Sequence, residues 1–383
     1  MTFATLLAKY LESERQIRML QSDHWFPAGN WMHRGNFYQG KRVTDDMNAT
    51  APTTVLFATY PWAFETPGGG EVQLKAYARN LPSHGVEVRL HDPWRSNLSD
   101  ASVVHFFSCM GGSSHFCSYV KRRGLPLVIS SSLWITETTK HLYPIEEIRA
   151  QLSLADVVVT NSEAESDRLS ALLALPRDRF ARVLNGVEPE LASAGPDLFR
   201  ENTGIRGPFI LNVATIEPRK NQLGLVQALE GVALPLVLIG APRDQAYAEA
   251  VFAAAGRQVR HLGPLDHDDP LLASALSACS VFVLPSTLET PGLAALEAAA
   301  CGAPLVITSE GAAREYFGEY ARYVDPHDRS DLRQAVEVAL TEGAHPGLRE
   351  HVLQFAWNRV TAGLVGVYRS AIERNNSAAL GLR

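Results

Sequence analysis

Two glutamates frame a short helix-like stretch in the second half of the chain. Glu289 and Glu297 stand on either side of a Thr-Pro-Gly triplet in LPSTLETPGLAALEAAACGAPLV. We predict that Thr290 caps a helix there, that the following proline occupies its first turn, and that Gly302 ends it. The free N–H groups and the dipole at such a helix start favour a phosphate, and Gly292 lets a ligand approach the backbone.

The spacing of the two acids suits two different tasks. At about 1.5 Å per residue, Glu297 lies roughly 9 Å along the predicted helix, whereas Glu289 lies on the loop before it. One acid can therefore face a reacting group while the other hydrogen-bonds ribose hydroxyls beyond the phosphates. The alternative is that both glutamates are solvated helix residues.

A pair of cations follows another strand-like run. After FILNVAT (209–215) the chain reads IEPRKNQLGLVQAL, which puts Arg219 and Lys220 just before a helix that Asn221 is expected to cap. Open parallel sheets bind ligands at the carboxyl ends of their strands. Two cations at that position can hold a diphosphate, with arginine as a fork and lysine as a point charge. The alternative is an exposed surface pair without a ligand.

The elements that must position these residues alternate between strand-like and helix-like patterns. Five apolar runs lie in the first half (54–60, 86–92, 102–107, 126–132, 156–161) and five in the second (209–215, 235–241, 258–264, 280–286, 304–310). This alternation is typical of parallel sheets covered by helices. Because 383 residues exceed one ordinary domain, we predict an α/β protein with two doubly wound domains. The polar stretch from about 187 to 208 is the expected linker.

Composition argues against several other classes of protein. The net charge of −6 gives no reason to expect nucleic-acid binding. No apolar run reaches the roughly 18 residues of a membrane span, and charges interrupt the N-terminal apolar runs. The cysteines form no C-x-x-C pair, which predicts buried, reduced thiols of a cytoplasmic protein. Residues 1–50 are interpreted as a packing extension or a homo-oligomer surface, because they include a group of aromatic residues between positions 25 and 38: Trp25, Phe26, Trp31, Phe37 and Tyr38.

Together these motifs resemble glycosyltransferase family 4. The resemblance rests on EPRKN, on HLGPLDHDDPLLASALSACSVFVLPS, on the two glutamates, and on CGAPLVITSEGAAREYFGEYARYVDP. PGGGEVQLKAYARNLPSHGVEVRL is similar to the family's glycine-rich first loop and helix. ADVVVTNSEAESDRLS and VLNGVEP resemble the end of its first domain, and FAWNRVTAGLVGVYRSAI resembles its final helices. The matching segments run from residue 54 to residue 372.

The resemblance implies the B-type glycosyltransferase fold, in which two Rossmann-like domains face each other across a cleft. It divides the chain into an extension (1–50), an acceptor-side domain (51–195), a nucleotide-sugar domain (196–357) and a helix that crosses back (358–383). Trp357 would be structural. The implied reaction is a retaining transfer from a nucleotide-diphosphate sugar, with no metal and no other cofactor. The acceptor stays open as a glycan, a lipid carrier or a small molecule.

The resemblance also implies roles for single residues. Glu297 would bind the ribose hydroxyls, and Glu289 would lie against the donor sugar. Lys220 and Arg219 would stabilise the departing diphosphate, because fixed cations act where charge develops. The remaining donor contacts would come from both domains: Thr290, Gly292 and Leu293 of the second, and Gly69, Gly70 and Ser132 of the first.

The chain departs from the family's pattern at several positions, of which Glu188 in NGVE, where NGVD is usual, is the mildest. Thr-Pro stands where Gly-Phe is usual, and proline removes a backbone donor. Thr215 stands where an arginine is common, so Arg219 and Lys220 carry more of the charge. Ser132 replaces a usual histidine and can supply a hydrogen bond but no charge. These departures keep a non-catalytic nucleotide-sugar-binding protein open as an alternative. An epimerase or phosphorylase of the same fold is a further alternative, although an epimerase needs additional acid/base groups that the sequence does not point to.

Two further motifs have competing interpretations. Asp266 and Asp268 match the Asp-x-Asp metal motif of the other glycosyltransferase fold. Because Asp269 and a proline follow, we interpret the acids as cap and first-turn residues of a helix, and we assign no metal. The basic run 121–123 is interpreted as a helix end, and peripheral contact with an anionic lipid carrier is the alternative. GGGE at 68–71 is not the dinucleotide fingerprint, which argues against a dehydrogenase.

Overall fold

The computed structural model describes residues 53–65, 67–95, 98–110 and 112–381. The interpretation of residues 1–50 and their aromatic residues lies outside this part of the chain. The described residues contain two six-stranded parallel sheets with helices between the strands. The prediction of an α/β fold with two Rossmann-like domains is therefore confirmed.

The first sheet has the strand order β2-β1-β3-β4-β5-β6. Its strands are β1 (Thr53–Thr59), β2 (Val86–Leu90), β3 (Val103–Phe107), β4 (Leu127–Ser130), β5 (Val157–Thr160) and β6 (Phe180–Arg182). The helices between them are α1 (Gly69–Asn80), α2 (Ser114–Arg122), α3 (Ile145–Leu154) and α4 (Glu163–Leu173). The inner strands are apolar and buried along their length because helices cover both faces of the sheet.

The second sheet has the strand order β12-β11-β10-β7-β8-β9. Its strands are β7 (Ile210–Val213), β8 (Leu236–Ile239), β9 (Val259–His261), β10 (Val281–Leu284), β11 (Leu305–Thr308) and β12 (Arg322–Val324). Its helices are α5 (Asp197–Thr203), α6 (Gln222–Ala228), α7 (Gln245–Ala254), α8 (Pro270–Ala278), α9 (Leu293–Cys301), α10 (Ala313–Phe317), α11 (Arg329–Glu342) and α12 (Leu348–Leu353). All ten predicted runs form strands, and the two strands that were not predicted, β6 and β12, are short edge strands.

The stretch predicted as a polar linker is partly folded into the second domain. Helix α5 lies within it, and Phe199 of α5 is fully buried. The Phe199 ring stacks on Phe209 with the ring centroids 4.8 Å apart, and Ile205 is also buried in this core. The linker prediction is wrong here because the side chains of Phe199 and Ile205 anchor this otherwise polar stretch in the core of the second domain. The domain boundary at 195/196 stays a prediction.

The last helix, α13 (Trp357–Ala379), packs against α1 and against strands β3 to β5 of the first sheet. The Trp357 ring is buried and meets Tyr77 edge to face, with centroids 5.7 Å apart. The Val187 N–H donates to the Phe355 carbonyl, and the Trp357 N–H donates to the Val187 carbonyl, both at 3.1 Å. The two places where the chain passes between the domains are thus hydrogen-bonded to each other.

Two smaller predictions concern helix ends and cysteines. The basic run does end α2, and Lys121 donates to Asp156 at 2.6 Å, so part of its charge is neutralised. The four cysteines are free and buried: Cys109, Cys117, Cys279 and Cys301. Among the helices of the described ranges, none has both the length and the apolar character needed to cross a bilayer.

Candidate functional site

The starts of two helices face each other from opposite domains. Helix α1 follows β1, and helix α9 follows β10, so both begin at the carboxyl edge of a parallel sheet. A side-chain carbon added at Gly69 would lie 3.5 Å from Leu293 Cδ1, and one at Gly70 would meet open space. The structure thus brings Gly69, Gly70 and Leu293 together at the edge where open α/β sheets bind ligands.

Lys220 and Glu289 form a buried ion pair beside these helix starts. A short turn (Pro218–Lys220) after β7 carries Lys220, whose Nζ donates to Glu289 Oε1 at 2.5 Å. Their side chains are 13% and 7% exposed. Arg219 lies 3.8 Å from the same oxygen but is half-exposed and is bound to Glu217 at 2.9 Å. The structure therefore excludes the alternative that Glu289 is a solvated residue. It also shows that Lys220 is a buried cation and that Arg219 is a peripheral one.

The charges of this pair hold each other in place. Burial lowers the pKa of the Lys220 ammonium, and the Glu289 carboxylate only partly opposes this. Burial alone would raise the pKa of Glu289, but the positive charges of Lys220 and Arg219 hold it below its usual value. Glu289 is therefore ionised at neutral pH. Lys220 lies beside it, next to the helix start where an anion is expected to bind.

The start of α9 differs from the prediction. Gly292, at φ +84°, is the N-cap, whereas Thr290, which is half-buried, and Pro291, which is buried, lie in the preceding loop. The loop is held by Glu289, whose carbonyl accepts from the Ala312 N–H at 2.9 Å. The chain then turns into the helix through a left-handed residue, which glycine tolerates best. The predicted Thr290 cap is wrong, whereas Gly302 ends the helix as predicted.

Glu297 lies on α9 and is 8% exposed, so the solvated alternative is wrong for this residue too. His267 Nε2 lies 2.7 Å from its Oε1. The hydrogen bond to Glu297 raises the pKa of His267 to about 9 against the effect of burial. His267 is therefore a cation at neutral pH. His267 is the middle residue of the Asp-His-Asp motif, and the metal and capping interpretations of that motif rest on its two acids alone.

The two aspartates that follow His267 make different contacts. Asp269 caps α8, since its Oδ1 accepts from the Leu271 N–H at 2.8 Å. Asp268 does not serve as a cap and instead pairs with Arg79 of α1, in the other domain, at 2.9 Å. The capping interpretation is correct for Asp269 and wrong for Asp268. In the part of the chain that the structure describes, no group of three or more His, Cys, Asp or Glu residues is suited to a metal ion.

Asn221 precedes α6 as predicted, but its side chain does not cap that helix. Its Nδ2 donates instead to the carbonyls of Pro285 and Pro326, at 3.2 and 2.7 Å. The residue has a left-handed backbone at φ +56°, and its side chain makes no capping hydrogen bond to the helix. Asn221 therefore fastens the turn that carries Lys220 to the loops after β10 and β12.

On the first-domain side, Ser132 belongs to a buried polar network. Its Oγ donates to Gln73 Oε1 at 3.3 Å and accepts from Asn161 Nδ2 at 3.2 Å. Glu165, which the sequence did not single out, is fully buried beneath this turn and accepts from Ser131 Oγ at 2.7 Å and from the Leu133 N–H at 2.8 Å. Burial raises the pKa of Glu165 to about 7, against these hydrogen bonds.

Two hollows differ in their distance from these elements. One of about 230 Å³ opens beside Ser132 and the start of α1. A larger one of about 780 Å³ lies beside α12 and is lined by Arg349 and His351 among others. Arg349 donates to the carbonyl of Cys301, at the far end of α9 from Gly292. The larger hollow is therefore remote from the helix starts and the ion pair.

A family model and the sequences of known proteins both assign this chain to the same family. Residues 197–355 match the family described as glycosyl transferases group 1. D-inositol 3-phosphate glycosyltransferase 1 of Catenulispora acidiphila is 31% identical over 311 residues, which cover 72% of this chain and 73% of that relative. A D-inositol 3-phosphate glycosyltransferase of Stackebrandtia nassauensis is 28% identical over 57% of this chain and only 55% of its own length.

Solved structures share the fold. Sucrose-phosphate synthase of Thermosynechococcus elongatus superimposes with a TM-score of 0.70 at 19% identity, covering 84% of this chain and 99% of that one. HepE of Anabaena, solved in complex with UDP, superimposes with a TM-score of 0.60 at 17% identity, covering 86% and 99%. Identities this low show a common architecture of two facing Rossmann-like domains and nothing finer.

Proposed function

Because the chain belongs to the glycosyl transferases of group 1 and is a glycosyltransferase, we propose that it transfers a sugar from a nucleotide-diphosphate donor to an acceptor hydroxyl with retention of configuration. The narrower assignment to glycosyltransferase family 4 belongs to this proposal. So does the cytoplasmic location, which the four free, buried cysteines support.

The observation that carries the proposal is the position of the Lys220–Glu289 pair beside the start of α9, opposite Gly69 and Gly70. A diphosphate there would accept from the first N–H groups of α9 and from Lys220, with Arg219 at its edge. A relative of the same fold binds UDP, which supports a uridine donor as the first to test.

In the proposed reaction, the acceptor oxygen forms a bond to the anomeric carbon while the bond from that carbon to the diphosphate breaks. The acceptor's proton leaves with the diphosphate or with water. Negative charge grows on the departing phosphate, and Lys220 and the α9 N–H groups stabilise it without a metal. Glu289, ionised and buried, lies where positive charge develops on the sugar ring.

Glu297 is proposed to bind the ribose hydroxyls. In the donor-free protein its Oε1 is occupied by His267 at 2.7 Å. The carboxylate has two oxygens and several acceptor positions, so it can keep the histidine and accept a ribose hydroxyl as well. His267 would then orient Glu297 toward the nucleotide.

The second candidate is a non-catalytic nucleotide-sugar-binding protein, which Ser132 in place of the family's histidine favours. Purified protein distinguishes the two in one set of measurements. We expect UDP, GDP or ADP to raise the melting temperature, since a ligand at 100 times its Kd stabilises by about 2.7 kcal/mol. We also expect the matching sugar nucleotide to be hydrolysed slowly without acceptor, in the presence of EDTA.

Binding without any hydrolysis or transfer would favour the binding protein. Loss of activity in EDTA that manganese restores would overturn the metal-independent mechanism. Acceptor identity, contact with a lipid carrier and self-association through residues 1–50 stay predictions. The phosphorylated acceptor in the names of the two inositol relatives is one of the acceptor classes to test.

A further inference from the structure

The 230 Å³ hollow of the first domain has its own lining, separate from the Lys220–Glu289 pair. It lies between the ends of β1, β3 and β4 and the first turns of α1. Fourteen residues line it: Thr59, Tyr60, Gly70, Glu71, Gln73, Leu74, Phe107, Ser108, Cys109, Met110, Ser130, Ser131, Ser132 and Leu133. Its volume lies just below the roughly 300–1,000 Å³ of pockets for drug-sized ligands, so it suits a compact molecule.

Two residues of this lining have an uncommon backbone conformation. Ser108, after β3, has φ +114°, and Ser132, after β4, has φ +45°. Positive φ is unfavourable for a side chain other than glycine and persists where the surrounding structure imposes it. Such residues concentrate at functional sites. Here both serines stand at strand ends on the same hollow.

The turn that holds Ser132 is fixed from below by buried polar groups. Glu165 Oε1 binds Ser131 Oγ and the Leu133 N–H, and its Oε2 accepts from the Asn161 N–H at 2.8 Å. Gln73 Nε2 donates to Asn161 Oδ1 at 2.7 Å, which joins α1 to the same network. The hollow therefore has a rigid polar wall rather than a loop that adapts.

The charges on the hollow are unfavourable for an anion. Of the described residues that line it, Glu71 is the one with a formal charge at neutral pH. Its Oε2 accepts from the Gly68 N–H at 2.7 Å, and its Oε1 accepts from Tyr60 OH at 3.2 Å. Among neighbouring cations, Lys75 lies over the Phe64 ring, and Arg243 reaches Gly68 from the second domain while lying 3.7 Å from Glu217. Neither cation belongs to the lining.

We propose that this hollow binds a neutral, hydroxyl-rich acceptor, a sugar ring or polyol without a phosphate group. The proposal rests on the transferase function proposed above and names the substrate class of its acceptor side. The hydroxyl oxygens of Tyr60, Ser108 and Ser132 can accept from sugar hydroxyls. Leu74 and Met110 offer apolar contact to ring carbons. A phosphate would meet the Glu71 carboxylate with no cation in the lining to compensate.

The test compares matched acceptors. Glucose, mannose and myo-inositol are each offered beside their monophosphates, with the donor chosen by the nucleotide thermal shift, and kcat/KM for transfer is measured. We expect each neutral acceptor that reacts to exceed its phosphate by about tenfold or more, since like charges in a site oppose binding. Equal or better use of the phosphates would overturn the proposal.

A charge introduced into the lining tests the cause. Met110→Lys is expected to raise kcat/KM for the monophosphates at least tenfold relative to their neutral partners. Leu380→Lys, which adds the same charge at an exposed position near the end of α13, should change neither. Unfolding curves of both variants confirm that they are folded.

If Met110→Lys leaves the ratio unchanged while the variant is folded, the hollow does not bind the acceptor. Donor hydrolysis and the nucleotide thermal shift separate the two proposals. If the protein hydrolyses the donor and nucleotides raise its melting temperature, but neither the neutral acceptors nor their monophosphates react, the acceptor proposal is wrong and the transferase proposal stands. If the protein neither hydrolyses the donor nor responds to nucleotides, the proposed function itself fails.

Discussion

At the scale of single residues, a buried lysine forms an ion pair with a buried glutamate. The Lys220–Glu289 contact of 2.5 Å involves two side chains that are almost inaccessible. Removing one partner of a buried pair leaves an uncompensated charge, which typically costs about 3–5 kcal/mol. An incoming diphosphate gives Lys220 a second anionic partner without breaking this pair, because an ammonium has three donors.

Lys220→Ala should therefore damage catalysis more than Arg219→Ala. Lys220 is buried beside the α9 start, whereas Arg219 is 45% exposed and is also bound to Glu217. We expect turnover of Lys220→Ala to fall roughly a hundredfold or more, because losing a fixed donor at a developing charge costs about 3 kcal/mol. Steady-state kinetics on both variants, with melting curves to exclude unfolding, decide this. A near-normal Lys220→Ala beside an inactive Arg219→Ala would move the phosphate site to Arg219.

The two glutamates should separate binding from turnover. Glu297→Gln is expected to raise the Kd for the nucleotide diphosphate with a smaller change in kcat, because ribose contacts act equally in the ground and transition states. Glu289→Gln, which keeps the shape of the side chain, should lower kcat with a smaller change in nucleotide Kd. Calorimetry with the nucleotide and kinetics with the donor measure the two effects. The opposite pattern would exchange the proposed roles.

The sequence singled out Lys220, Arg219 and Glu289, which the structure brings together, but it did not anticipate how the residues pair. Lys220, Arg219, Glu289 and Glu297 were named from motif and spacing. The contact of His267 with Glu297 was not, because it joins the loop before α8 to the middle of α9, and spacing along the chain carries no information about such a contact. Glu165 was missed for a similar reason. A glutamate in a first helical turn is normally a solvated residue that favours the helix dipole.

At the scale of elements, α9 has a left-handed glycine at each end. Gly292 has φ +84° and Gly302 has φ +88°. Gly292→Ala and Gly302→Ala should each destabilise the protein by about 1–2 kcal/mol, the usual cost of a left-handed alanine. Gly292→Ala should in addition weaken nucleotide binding several-fold, because its side chain would enter the space 3.5 Å from Glu289 Oε2.

Gly302→Ala is the matched control, since its added carbon meets Arg349 at the opposite end of the helix. Denaturant unfolding and nucleotide binding of both variants check the prediction. Equal nucleotide affinities, with both variants equally destabilised, would mean that the start of α9 does not contact the diphosphate.

The loop before α8 should make stability depend on pH through His267. Because Glu297 raises the pKa of His267 from 6.5 to about 9, the stabilising contribution is complete below the unfolded-state value and is lost as the pH rises through about 9. The unfolding free energy of the wild type should exceed that of His267→Gln by less at about pH 10 than at about pH 6. A constant difference would mean that His267 is not charged in the folded protein.

The elements were most predictable where the sequence pattern was long and apolar. Eight of the ten predicted strands are inner strands whose apolar runs both covering layers bury, and the other two, β2 and β9, are edge strands. Strands β6 and β12 are three residues each at sheet edges and contain Arg182 and Arg322, so their sequences resemble loops. The α9 start was misplaced because Thr-Pro is a good cap sequence, whereas the tertiary contact of Glu289 with the loop after β11 sets the actual path.

At the scale of the whole molecule, the two domains are joined on one side by covalent and polar contacts. The crossings at Val187 and Trp357 are hydrogen-bonded to each other, and a side-chain carbon at Gly186 would lie 2.6 Å from the Trp357 ring. Nearby, Glu315 of α10 accepts from the first N–H groups of α4, and Tyr316 donates to the Asn161 carbonyl. These contacts form a compact hinge.

Among the described residues of α1 and the loop before α8, the ion pair that we find is Arg79–Asp268, at 2.9 Å. It lies close enough to Glu188, which follows the crossing at Val187, for both of its charges to act on the Glu188 carboxyl. Both side chains are more than half exposed, and an exposed pair of this kind is worth at most about 1 kcal/mol. The contacts at the crossings are therefore buried and numerous, and this exposed pair beside them adds little, an arrangement that allows one domain to rotate against the other about the crossings.

We expect saturating donor to compact the molecule, because a diphosphate between Gly70 and α9 adds contacts that only the closed arrangement makes. Small-angle scattering should show a smaller radius of gyration with the donor than without it. Arg79→Ala removes an exposed pair beside the crossing and should change donor affinity by no more than about the tenfold that 1.4 kcal/mol represents. Arg89→Ala, which removes an exposed pair with Glu87 on β2, is the control and should leave both quantities unchanged. Identical scattering with and without donor, at a concentration where binding is shown by calorimetry, would mean that the donor enters a cleft that is already closed.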